Sequence, residues 1–229
     1  TWTFTNLAPG NVYNRFTILP RLGVIDGDGM DNPPQDYFFD NITLLASGGG
    51  GPGGDCVREA PGIGVELATN GSFESGDFTC WTVFDDNGLA EIVDTGASSG
   101  TYAARGRAEQ SGGAARTVSL KQFELAIGEV QPNDEVTISF DMKGATGIGG
   151  VVFAQFFSEK ASGADGIFLG GGPIFPTADW MAYGPYQVTT GPDLTRGISL
   201  EFAISTSADD GSFSEATIDN VSIVITSRP

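Results

Sequence analysis

The chain has 229 residues, of which 29 are Asp or Glu and 11 are Lys or Arg, giving a formal charge of −18. A surface this acidic repels phosphate backbones and anionic lipid, so nucleic acid is a poor partner, and no apolar run reaches the ~18 residues of a membrane span. His is absent and Cys occurs twice, which removes the Ser-His-Asp triad, the commonest zinc ligand and any thiolate cluster.

In chain order, Trp2-Thr-Phe-Thr, Tyr13–Leu19 and Tyr37–Leu45 open the sequence as candidate strands. Between them Asp26-Gly-Asp-Gly-Met-Asp-Asn32 crowds three carboxylates. Its Gly29 falls at the fourth position rather than the sixth of an EF-hand loop, so a solvated acidic turn competes with a metal site on Asp26, Asp28 and Asp31. Ser47–Asp55, SGGGGPGGD, has nothing that could pack and reads as a linker. Strands are then expected at 65–69, 81–85, 90–94, 101–107, 115–121, 136–142, 151–158, 180–189, 198–204 and 216–226. Val136, Ile138, Phe140 and Met142 share one face by period-two alternation, as do Ile198, Leu200, Phe202 and Ile204. Short strands between Gly, Pro, Asn and Asp clusters indicate an all-β, antiparallel sandwich of the jelly-roll type.

Asp40-Asn-Ile-Thr-Leu44 aligns without a gap on Asp219-Asn-Val-Ser-Ile223, and the two segments before each also correspond. The organisation is therefore residues 1–46 as the C-terminal half of one module, 47–55 as linker and 56–229 as a complete second module. Three strands alone leave an apolar face wet and two edges open, so residues 1–46 need strands from elsewhere: the second module, another chain, or a longer polypeptide.

Cys56 and Cys80 enclose a loop of ~25 residues whose bridging contributes roughly 3 kcal/mol. In an acidic β-sandwich two Cys fit one disulfide in a secreted, extracellular protein; two buried free thiols are the alternative.

Glu66-Leu-Ala-Thr-Asn-Gly-Ser-Phe-Glu74, then Trp81, then Thr217-Ile-Asp-Asn-Val-Ser-Ile223 carry a resemblance. They are similar to the opening and closing strands of the carbohydrate-binding modules of families four, nine, sixteen and twenty-two. Glu74 and Asp219 are 145 residues apart, as that family requires. The resemblance implies a jelly-roll sandwich, no catalysis, attachment to secreted bacterial polysaccharide-degrading enzymes, and a structural Ca2+. Carried over by motif, the metal ligands are Glu74 and Asp219, with backbone carbonyls near Gly71 and in the 97–101 turn. Strand-end carboxylates capped by backbone N–H are the competing explanation.

For a glycan, aromatic faces and planar amides are the useful groups. In Val151–Phe157, alternation sends Val152, Ala154 and Phe156 inward and leaves Phe153, Gln155 and Phe157 together on the other face; a strand apolar on both faces and buried under loops is the alternative. Tyr102, Arg105, Arg107 and Asp141 are expected to line the same groove, while the resemblance implies that Trp81 and Trp180 are core. The function that follows is non-catalytic polysaccharide binding. The alternative is a subunit of an extracellular filament, in which residues 1–47 add a strand to another copy. A glycosidase needs two carboxylates facing across a groove, and the clusters Asp85-Asp86, Asp209-Asp210 and Asp26–Asp31 lie in turns where solvation accounts for them.

Overall fold

A computed structural model describes residues 62–85 and 88–229. The expectations for residues 1–46, for the linker, for Asp26, Asp28 and Asp31, and for Cys56 lie outside those residues, so the Cys56–Cys80 pairing remains an expectation.

Ten strands build the described part: β1 (Thr82–Asp85), β2 (Leu89–Val93), β3 (Ala103–Glu109), β4 (Thr117–Leu125), β5 (Glu135–Thr146), β6 (Val151–Glu159), β7 (Ala164–Phe168), β8 (Met181–Thr189), β9 (Ile198–Ser205) and β10 (Phe213–Ser227). They form two antiparallel five-stranded sheets, ordered β1-β4-β9-β6-β7 and β2-β3-β10-β5-β8. This is the all-β sandwich expected from the alternation. Its only other named element is a single 3-10 turn, Leu169–Gly171. No helix among the described residues is long and apolar enough to cross a membrane.

The core is the sum of the inward alternants. Val136, Ile138, Phe140 and Met142 of β5 face Val152, Ala154 and Phe156 of β6 and Leu200, Phe202 and Ile204 of β9, all buried. A chain of rings runs through it: Phe73 to Trp81 at 5.2 Å, Trp81 to Phe202 at 6.1 Å, and Phe202 edge-on to Phe140 at 4.8 Å. Gly106 of β3 leaves room here for the tip of the Ile204 side chain from the facing sheet, which a Cβ would displace.

The segment 65–69 is not a strand. Only Glu66 bridges to Val224, with Gly64 N donating to Ile225 O and Leu67 N to Ile223 O. It runs beside the second half of β10, which β3 no longer covers, since β3 pairs only with Phe213–Ile218. Glu66 secures it by accepting from Ile223 N at 2.7 Å and Ser222 Oγ at 2.5 Å. The opening and closing motifs therefore meet in space. β7 was not foreseen: Ala-Asp-Gly-Ile-Phe carries no alternation, and its place at the sheet edge comes from pairing with β6.

Candidate functional site

The outer face of the β1-β4-β9-β6-β7 sheet gathers most of the aromatic and amide groups proposed for the glycan. Residues directly opposite in an antiparallel ladder share a face, so the register fixes who stands beside whom. One row reads Phe84, Ser119, Ala203, Phe153; the next reads Thr82, Lys121, Glu201, Gln155, Phe168; the third brings Ser199, Phe157 and Gly166 together. Val152, Ala154 and Phe156 are fully buried, whereas Phe153, Gln155 and Phe157 are partly exposed on this outer face, as alternation requires.

Several residues of this face escaped the sequence reading. Phe84 and Phe123 meet edge to face at 5.7 Å, and Phe153 and Phe168 pack at 5.0 Å. Between the two pairs lies Lys121, only 8 % exposed. Its ammonium stands 4.3 Å from the Phe123 ring centre and 4.1 Å from that of Phe157. It also pairs with Glu159 at 3.2 Å and approaches Glu201 at 3.9 Å. Two ring faces and two carboxylates replace the water that a buried ammonium gives up. In consequence one face of Phe157 is engaged by Lys121, and among the rings on the strands of this sheet those left most open are Phe84 and Phe168.

Tyr102 and Arg105 do not join this face. Arg105 stands on β3 of the other sheet, where it pairs with Glu91 directly across from it on β2. Arg107 lies two residues on, between Glu109 and Glu215, which raise its already high pKa. Tyr102 immediately precedes β3 and packs against the core edge beside Gly76. Local alternation reports which side of its own strand a residue takes, and β3 belongs to the opposite sheet. Trp81 is core, but Trp180 is not: its indole Nε1 donates to Gly96 O at 2.9 Å and the Lys143 ammonium sits 4.8 Å from the ring centre, outside the second sheet. Tyr183 and Tyr186 flank Phe140, and burial pushes both phenols above their ordinary value.

Glu74 and Asp219 converge on a single turn. Glu74 Oε1 accepts from Thr101 N and Tyr102 N, each at 2.9 Å. Asp219 Oδ2 accepts from Ser98 N and Ser99 N at 3.0 Å, and Oδ1 from Asn220 N at 2.7 Å. Gly100 stands at the tip of this turn with φ +64°, and a Cβ there would overlap the Glu74 carboxylate. Asp219 is wholly buried and has no Lys or Arg partner among the described residues; desolvation raises its pKa, assisted by Asp141, its cross-strand neighbour on β5. Gly71 lends its carbonyl to Val221 N at 2.8 Å. As a set, these groups hold the 98–102 turn by backbone capping. They fit a Ca2+ only in kind: hard carboxylate oxygens and carbonyls are present, and a buried uncompensated carboxylate favours a cation. Among the described residues no three acidic or Cys side chains gather into a metal-binding group, so backbone carbonyls would have to complete the shell.

No protein-family model and no curated protein matches the chain. Solved structures do. The CBM22-1–CBM22-2 tandem domain of Paenibacillus barcinonensis Xyn10C matches at 17 % identity and TM-score 0.50, over 75 % of this chain and 49 % of that one. The described residues have the fold of a carbohydrate-binding module. The enzymatically active domain of bacteriophage CBA120 tailspike protein 4 matches at 14 % identity and TM-score 0.50, over 70 % of this chain and 21 % of that one. The module TmCBM61, solved with β-1,4-galactotriose, matches at 17 % identity and TM-score 0.48, over 70 % of this chain and 98 % of that one.

Proposed function

We propose that the described module binds a polysaccharide without transforming it, through the outer face of the β1-β4-β9-β6-β7 sheet. The observation that carries this reading is the coexistence of ring surfaces and an amide on one open face: Phe153, Phe168 and Phe84 for the apolar C–H faces of sugar rings, with Gln155 between them to donate to and accept from hydroxyls. Arg105 and Tyr102 are left out of this site because they belong to the other sheet. Glu159 and Glu201 serve Lys121 on this reading, and both are occupied by its ammonium rather than facing each other across a groove.

Calcium at Glu74 and Asp219, a Cys56–Cys80 bridge and an extracellular location belong to the same proposal. The support for calcium is the convergence of the two motif carboxylates on the 98–102 turn. The test of the function is retention on immobilised xylan, β-glucan and β-galactan. The wild type is retained on at least one, and Phe153→Ala and Gln155→Ala elute early while melting as the wild type does. Retention on none, or retention indifferent to both substitutions, overturns the assignment.

A further inference from the structure

On the glycan-binding reading, the structure also bears on how long the ligand must be and what charge it carries. Among the rings carried by its five strands, the two most open sit on the edge strands: Phe84 on β1 is 49 % exposed and Phe168 on β7 is 45 % exposed. Four strand-to-strand steps separate β1 from β7, about 19 Å at the usual spacing of ~4.8 Å. Each ring is backed by a second one, Phe123 at 5.7 Å and Phe153 at 5.0 Å, so each is a supported platform rather than an isolated side chain. Phe84 is opposite Ser119, and Phe123 lies four residues beyond Ser119, so their rings meet over the Lys121 position. Phe168 is directly opposite Gln155. The row Lys121, Glu201, Gln155 thus runs from one platform to the other, and its neighbour row has the small Ser119 and Ala203 at its centre.

We infer that this face takes an extended, uncharged glycan laid across the strands, anchored at both ends by the Phe84–Phe123 and Phe153–Phe168 platforms, with the polar row reading the hydroxyls between. A mono- or disaccharide reaches one platform only. The charge follows from the centre: the single ammonium is already shared by Glu159 and Glu201, leaving one carboxylate in excess and no cation free for a uronate among these residues. A polyuronate would bring like charge to a row that cannot neutralise it.

The experiment is calorimetry with xylo-, β-gluco- and galacto-oligosaccharides of two and six units and with oligogalacturonate of six. The proteins are the wild type, Phe84→Ala, Phe168→Ala and the ring-removing but apolar Phe84→Leu. Both rings are near half exposed, so the variants are expected to melt as the wild type does, and Phe84→Leu controls for any loss of packing. In the wild type the six-unit neutral ligand binds far more tightly than the two-unit one. Each substitution, Phe84→Leu included, weakens the six-unit ligand on the order of tenfold and so narrows that gap. Oligogalacturonate binds more weakly than the neutral hexamer that binds best. If the wild type binds none of the neutral hexamers, the glycan reading itself fails. If it binds them but two and six units bind alike, or Phe84→Leu and Phe168→Ala leave the hexamer unaffected, the two-platform inference alone fails. Oligogalacturonate binding at least as tightly overturns the charge assignment.

Discussion

Replacing Lys121 by Met keeps the aliphatic stem and removes only the charge. Four groups then lose a partner. Glu159 is 6 % exposed, and its Oε1 has no hydrogen bond beyond the ion pair; breaking a buried pair from one side costs roughly 3–5 kcal/mol. The Phe123 and Phe157 rings, 4.3 and 4.1 Å from the ammonium, each forfeit about 0.5–2 kcal/mol. Glu201, the more distant partner at 3.9 Å, adds little. Lys121→Met is therefore expected to lower unfolding stability by at least the roughly 3–5 kcal/mol of the ion-pair term in urea titration. Glu159→Gln in the same chain should recover much of it, because the buried charge is then gone from both sides, with a coupling of about 2–3 kcal/mol in the double-mutant cycle. A Lys121→Met loss below about 1 kcal/mol, or a double variant that simply adds the two single losses, would refute the view that Lys121 is the internal counter-charge of this face.

Removing metal with a chelator is expected to lower the melting temperature by several degrees if calcium occupies the Glu74–Asp219 turn, and Glu74→Ala to abolish that response; an identical melting curve in excess chelator leaves backbone capping as the whole account of the turn. Gly71→Ala would drive a Cβ into the Val221 carbonyl, and a loss of about 1–3 kcal/mol is expected in the same urea titration. Burial raises the phenols of Tyr183 and Tyr186 above the ordinary 10.0. The stability this contributes is complete below that value and is lost as pH rises through the folded-state values. Absorbance titration should show phenols ionising later than free tyrosine, with unfolding accompanying them.

The strands were legible where side chains alternate strictly, as in Val136–Met142 and Ile198–Ile204, because each of those faces a buried core on one side. The same rule placed Phe153, Gln155 and Phe157 together before any coordinates. It could not say which sheet a neighbour joins, which is why Arg105 was assigned to a face it does not share. Phe84, Phe123 and Lys121 went unnoticed for the same reason: their proximity to β6 runs through β9, whose Ala203 and Ser199 carry no functional signal of their own. Trp180 matches a family position that is mostly structural and is expected in the core for that reason, yet just before edge strand β8 its indole finds a backbone acceptor and a Lys instead.

The central claim is that the glycan meets the β1-β4-β9-β6-β7 sheet and not the other. It is tested most directly by NMR titration with a six-unit oligosaccharide, following the Gln155 side-chain amide against the Trp180 indole N–H. Saturable shifts at Gln155 with a silent Trp180 are predicted. Shifts at Trp180 with Gln155 unmoved would place binding on the opposite sheet and contradict the account.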